Sequence, residues 1–173
     1  MRAARERALP IVHRSTILAH WVAAMRSIAV SGTSGKSSVT AMVFEVLRGA
    51  GRDPSVITGG DLVLLQREGL WGNAWAGSGD ALVIEADESD GSLVRYQPAI
   101  GLVLNLSRDH KSEEEVAAMF ATLRRRTRER FVCSDEEALG ALREGALTFG
   151  TSTRADVRGT AIELGPSGSR FVV

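Results

Sequence analysis

The sequence has a single cysteine, so no intrachain disulfide can form. That fits a reducing compartment. Cys133, directly after Phe131 and Val132, reads as a buried strand residue rather than a nucleophile. An excess of either charge is also missing: 21 basic and 21 acidic side chains leave no global field to draw nucleic acid or an anionic membrane. The one basic run, Arg124 to Arg128, follows Glu113 to Glu115 on what reads as one helix. The helix dipole favours that polarity, and no polyanionic partner is needed to explain it. No stretch approaches the roughly 20 apolar residues that cross a bilayer. The charged start, Met1 to His13, is not followed by the apolar run of a signal peptide. The expectation is a soluble, cytoplasmic protein with no nucleic-acid or membrane partner. Internal repeats and low-complexity tracts are absent, and lysine is rare: Lys36 and Lys111 stand alone in an arginine-rich chain.

What is present is ordinary in amount and ordered in pattern. The 173 residues, 44% apolar and 24% charged, suffice for one well-packed domain. Short apolar runs alternate with stretches of helical period, which predicts an α/β fold: a mainly parallel sheet flanked by helices. Ile17, Leu18, Trp21, Val22 and Met25 share a helix face that Ser15 could cap. Ser27 to Ser31, Val56 to Thr58, Ala81 to Glu85 and Ile100 to Asn105 read as strands. Between Ser31 and Val56, the residues Val39, Met42, Val43, Val46 and Leu47 form a second helical stripe, closed by Gly49 and Gly51. Gly59 to Gly79 reads as an irregular excursion or hairpin. Ser112 and Glu115 fit a capping box opening a helix with the stripe Val116, Met119, Phe120 and Leu123. A strand at Arg130 to Cys133, a short helix from Asp135, and strand-like pieces around Leu147, Val157 and Phe171 make a small β-rich tail.

Three polar clusters follow three of these strands. Gly32-Thr33-Ser34-Gly35-Lys36-Ser37-Ser38 lies between a strand and a helix. Glycines there let successive N–H groups turn toward one anion, and the helix presents its positive end to it. Lys36 adds a point charge for phosphates, and the Ser37 hydroxyl suits magnesium. The spacing departs from the common Walker pattern, with Val30 where that pattern has glycine. The second cluster, Glu85-Ala86-Asp87-Glu88-Ser89-Asp90, holds four carboxylates at a strand end. Taken alone it reads as a solvated acidic loop; the cost of unpaired charge near a core makes a cation partner the other reading. The third, Asn105 to His110, ends in Asp109-His110, a metal ligand, an acid/base group or a helix-flanking polar pair. In an open parallel sheet such strand ends share one edge, the usual ligand crevice. His13 and His20 lie near structural segments and carry no catalytic expectation.

In this order the clusters resemble the Mur ligase family, nearest its muramate–alanine and murein-peptide branch. The matching pieces are Gly32 to Ser37, Thr58-Gly59-Gly60, Glu85 to Asp90 with Gln97-Pro98, and Asn105 with Asp109-His110. The resemblance implies the P-loop NTPase-like central, ATP-binding domain of an amide-forming ligase of peptidoglycan synthesis. Residues 27–173 would be that domain, incomplete and without the C-terminal ligase domain. Residues 1–26 would close an N-terminal domain or form a linker, with Leu9 to Arg14 as the similar stretch. Gly32, Thr33, Ser34, Gly35, Lys36, Ser37, Ser38 and Asn105 would bind ATP. Ser37, Glu85 and His110 would hold magnesium, and Lys36, Glu85 and His110 would be the catalytic set. The substrates implied are a nucleotide-sugar, UDP-N-acetylmuramate, and L-alanine, joined through an acyl phosphate. The missing domains would act in cis in a longer enzyme or in trans, and the isolated chain is expected not to turn over.

Departures from the family pattern are specific. Serine stands at positions 34 and 37, where histidine or asparagine and threonine are usual, and Lys111-Ser112 follows the Asp-His pair in place of an apolar residue and aspartate. No lysine lies between Ser112 and Val173, so the carbamylated lysine of some members has no counterpart. Two other readings stay open: a non-catalytic nucleotide-binding remnant, and the central domain of a poly-amino-acid (cyanophycin-type) synthetase. A simple kinase or NTPase needs neither the acidic string nor the Asp-His pair.

Overall fold

The computed structural model describes residues 2–108 and 111–173. In chain order the elements are α1 (Arg2–Glu6), α2 (Arg14–Ala24), β1 (Arg26–Ser31), α3 (Lys36–Gly49), β2 (Ser55–Ile57), α4 (Val63–Arg67), β3 (Ala74–Trp75), β4 (Ala81–Glu85), β5 (Ile100–Val103) and α5 (Glu113–Arg126). Then follow β6 (Arg130–Ser134), β7 (Leu147–Gly150), β8 (Val157–Arg158), β9 (Thr160–Gly165) and β10 (Gly168–Val172). Short 3-10 helices lie at Ser92–Arg95 and Glu137–Arg143.

Eight strands form one sheet in the order β3-β2-β4-β1-β5-β6-β7-β8. Every neighbouring pair is parallel except β2 with β3, which pair antiparallel at the edge. The stretch from Gly59 to Gly79, read as an irregular excursion or hairpin, carries α4 and β3, and β3 pairs outside the stretch, with β2. Strand β1 is central, with Val30 opposite Glu85 on one side and Ser31 opposite Val103 on the other. Because side chains alternate along a strand, Leu82, Ile84 and Ala29 face α2 and α5, while Val83 and Val30 face α3 and α4. Burial on both faces explains why these strands read as continuous apolar runs. The C-terminal hairpin β9–β10 forms a separate two-stranded sheet.

Helix α5 opens with the expected capping box: Glu115 N–H donates to the Ser112 hydroxyl and Ser112 N–H to the Glu115 carboxylate. Val116, Phe120 and Leu123 are buried beneath it, and Cys133 is buried in β6, where burial pushes its thiol pKa up. Two local readings shift. Helix α2 is capped by His13, whose ring accepts from Ser15 N–H, while Ser15 itself lies buried in the first turn. That helix buries Leu18 and Val22 but leaves Ile17 and Trp21 exposed. Helix α3 turns Thr40 and Phe44 to the core, whereas Met42 and Val46 are 64% and 70% exposed. Val39, Val43 and Leu47 of the expected stripe do pack against the core, but the apolar arc is wider than the buried side, so periodicity alone could not place its edges. Phe44 is fully buried and occupies the core side, with the Arg48 guanidinium 5.6 Å over its ring.

Candidate functional site

The site forms where β1, β2, β4 and β5 end side by side. After β1 the backbone turns through Gly32, with φ of 145°, and Gly35, with φ of 78°. A Cβ on Gly32 would lie 3.0 Å from the Leu104 Cβ, so the loop can pass β5 closely only without a side chain there. Gly35 is the N-cap of α3 and supplies no side-chain hydrogen bond, and the first N–H bonded back into the helix is that of Val39, to Gly35 O. The N–H groups of Gly35, Lys36, Ser37 and Ser38 are therefore presented at the positive end of the helix.

Asn105 holds this loop from the end of β5. Its Oδ1 accepts from Ser34 N–H and from the Thr33 hydroxyl, both at 2.9 Å, and its Nδ2 donates to Ser34 O at 3.1 Å. Ser107 N–H donates to the Thr33 hydroxyl at 3.1 Å. Thr33 is thus turned inward against β5, and Asn105 spends its amide on the loop.

Glu85, at the end of β4, faces the other side of the loop. Its carboxylate accepts from the Ser37 hydroxyl at 3.0 Å, the Thr58 hydroxyl at 2.7 Å and Gly59 N–H at 2.8 Å. The result is a compact set of oxygen atoms fed by three strand ends. Hard oxygens of this type suit magnesium, which commonly takes one or two protein ligands and completes its shell with phosphate and water. Among the described residues no group of three or more His, Cys, Asp or Glu side chains could hold a metal ion, so the donor set fits only that shared mode. His110 lies outside the described residues.

Lys36 turns back over the loop. Its Nζ donates to Gly32 O at 2.9 Å and lies 2.9 Å from Glu88 Oε2 and 3.6 Å from Asp87 Oδ1. Burial would raise the Asp87 pKa, but the Ser89 hydroxyl and amide and the Lys36 ammonium more than offset it, leaving it below its ordinary value. Lys111 donates to the Ser89 carbonyl and so ties the start of α5 to this acidic loop. Beside Glu85 a cleft of about 180 Å³ is bounded by Arg14, Thr58, Asp87, Asp90, Ser92 and Tyr96. A larger apolar cavity of about 330 Å³, between α2 and the β2–β3 pair, contains Trp21 and Trp75 but no titratable side chain. The chemistry belongs to the strand ends.

The Mur ligase middle domain pattern matches residues 30–173. The chain belongs to the Mur ligase family. The UDP-N-acetylmuramate–L-alanine ligase of Paenarthrobacter aurescens is 42% identical to it over 171 residues, which cover 90% of this chain and 36% of that protein. The crystal structure of UDP-N-acetylmuramate–alanine ligase from Thermotoga maritima superposes with a TM-score of 0.70 at 28% identity, covering 87% of this chain and 35% of that one. A MurF ligase from Thermotoga maritima, solved in complex with ADP, shares the fold with a TM-score of 0.65 at 16% identity, over 94% of this chain and 43% of that one. The chain spans about a third of the length of the curated relatives it matches.

In this member of the Mur ligase family the strand ends bring Gly32 to Ser38, Glu85 and Asn105 side by side. What the motifs left unassigned is the partner of Lys36. Of the two readings of the acidic string, the one with a cation partner holds for Glu88 and Asp87: the cation is this lysine, nearer to the buried Glu88 than to Asp87. Thr58 and Gly59, noted only as part of a matching triplet, prove to be direct partners of Glu85.

Proposed function

We propose that this chain is the nucleotide-holding part of an ATP-dependent carboxylate–amine ligase of peptidoglycan precursor synthesis, with residues 27–173 as the ATP domain and residues 1–26 as the segment joining it to an N-terminal domain. The substrates proposed are UDP-N-acetylmuramate and L-alanine, on the strength of the names carried by relatives such as that of Paenarthrobacter aurescens. The observation that carries the reading is the convergence of Lys36, four presented N–H groups of α3 and the Ser37–Glu85 oxygen set on one sheet edge. Such an edge suits a polyphosphate with a magnesium ion. The ADP bound to the MurF ligase of Thermotoga maritima, a protein of the same fold, supports a nucleotide as the ligand.

In the reaction proposed, the muramate carboxylate attacks the γ-phosphorus of ATP, releasing ADP and forming an acyl phosphate. The amine of the amino acid then attacks the acyl carbon, the C–O bond to phosphate breaks, and the amide remains. The N–H groups of Gly35 to Ser38 and the Lys36 ammonium would orient the phosphates and offset their charge. Ser37 and Glu85 would hold magnesium, which when bound supplies further positive charge to the transferring phosphoryl group. Asn105 and Thr33 would act on the nucleotide indirectly, by fixing the loop.

The test is calorimetric titration of a non-hydrolysable ATP analogue with magnesium into the wild type and Lys36→Ala. Binding by the wild type that is lost in the variant is expected. Equal affinity in both would remove the phosphate assignment.

A further inference from the structure

Lys36 and Glu88 are the most enclosed charged pair of the site, with side chains 12% and 7% exposed, against 48% for Asp87. Glu88 Oε1 accepts from Lys36 Nζ at 3.2 Å. Oε2, shut off from water, lies 2.9 Å from Nζ yet has no hydrogen bond among the described residues. Asp87 is served by the Ser89 hydroxyl and amide, whereas Glu88 depends on Lys36. The backbone around Glu88 is anchored on both sides. Ala86 N–H donates to Val30 O and the Ser31 hydroxyl to Ala86 O, both at 2.8 Å, while Lys111 holds the Ser89 carbonyl. The backbone that carries the carboxylate is thus anchored, and the lysine is the longer side chain of the pair, with more rotatable bonds. Separating such a pair leaves a buried charge uncompensated, and salt screens it weakly.

We propose that Glu88 is the internal counter-ion of the phosphate loop, which an incoming anion must outcompete for Lys36, and that this competition selects polyphosphate over singly phosphorylated or carboxylate ligands. The inference rests on the phosphate-binding reading above. A lone phosphate or carboxylate offers Lys36 little more than Glu88 already does. A di- or triphosphate with magnesium also reaches the N–H groups of α3 and the Ser37–Glu85 oxygens, and those added contacts offset the loss of the buried pair.

Because Lys36 and Lys111 are the only lysines, ¹⁵N-lysine labelling yields two ammonium signals, assigned with Lys111→Met. Without ligand, the Lys36 signal is expected to be protected from solvent exchange in the wild type and to lose that protection in Glu88→Gln. In calorimetry Glu88→Gln is expected to bind the magnesium–ATP analogue several-fold more tightly and to bind inorganic phosphate that the wild type rejects. Its melting temperature without ligand should fall. Glu88→Asp, which keeps the charge but withdraws it by one methylene, should be intermediate in each respect and serves if the Gln variant folds poorly. An unprotected Lys36 signal in the wild type overturns the pair itself. A protected signal with equal or weaker binding of the analogue by Glu88→Gln and Glu88→Asp, or continued rejection of phosphate by both, overturns the competition. If instead the analogue binds no better to wild type than to Lys36→Ala, the phosphate reading fails and the competition with it, while a protected Lys36 signal would still stand for the pair.

Discussion

The Ser37 hydroxyl donates to the Glu85 carboxylate at 3.0 Å, joining the first turn of α3 to the end of β4 across 48 residues of chain. Neither residue is unusual alone. Their meeting turns a glycine-rich turn and an acidic strand end into one oxygen-rich set beside the Lys36 ammonium.

If that set holds magnesium, Glu85→Ala should abolish the magnesium dependence of nucleotide binding. Ser37→Ala should weaken it by removing one oxygen ligand. Titrations of an ATP analogue with and without magnesium read both effects. An unchanged magnesium response in Glu85→Ala would make Glu85 only a partner of Thr58 and Gly59.

Asn105 makes three hydrogen bonds to Thr33 and Ser34, so Asn105→Ala should loosen the loop. Unpairing these groups is expected to cost about 1–3 kcal/mol of stability. Amide exchange at Ser34 should accelerate, and nucleotide affinity should fall together with it. Lost affinity with unchanged exchange would instead indicate direct contact between Asn105 and the nucleotide.

Helix α3 offers an internal comparison. Phe44 is fully buried, while Met42 and Val46 point outward. Phe44→Ala should cost about 3–5 kcal/mol. Met42→Ser and Val46→Ser should each stay within about 0.5 kcal/mol of wild type. Denaturant unfolding distinguishes the two classes, and a large loss at Met42 or Val46 would show that the outer face of α3 is covered in solution.

The lowered pKa of Asp87 has a signed consequence. Burial acts to raise it, but the Ser89 hydroxyl and amide and Lys36 prevail, so the folded value lies below the ordinary 3.8. A carboxyl depressed on folding stabilises the protein fully above its unfolded pKa and loses that contribution as pH falls through the folded value. Ser89→Ala should therefore be less stable than wild type near neutral pH, with the gap closing in acid below the ordinary carboxylate range. Unfolding measured along a pH series checks this, and a gap independent of pH would place the Ser89 effect elsewhere.

Much of the architecture was determined by sequence alone, because its causes are local. Short apolar runs marked β1, β4, β5 and β6. The Ser112–Glu115 capping box marked the start of α5, and the glycines at 32 and 35 marked the turn that carries Lys36. Each is a short-range pattern whose physical requirement is met within a few residues.

Only the tertiary structure decided which like residue plays which part. The string from Glu85 to Asp90 holds four carboxylates, but the end of β4 and the loop beyond it send Glu85 to Ser37 and Glu88 to Lys36, and leave Asp87 near water. On α3 the apolar arc is wider than the buried side, and contact with the sheet selects Thr40 and Phe44 over Met42 and Val46. At the start of α2 the sequence offered Ser15 as the cap, but Ser15 is buried in the first turn and the role falls to His13. These choices depend on distances between segments far apart in sequence, and such distances exist only once the sheet has closed around β1.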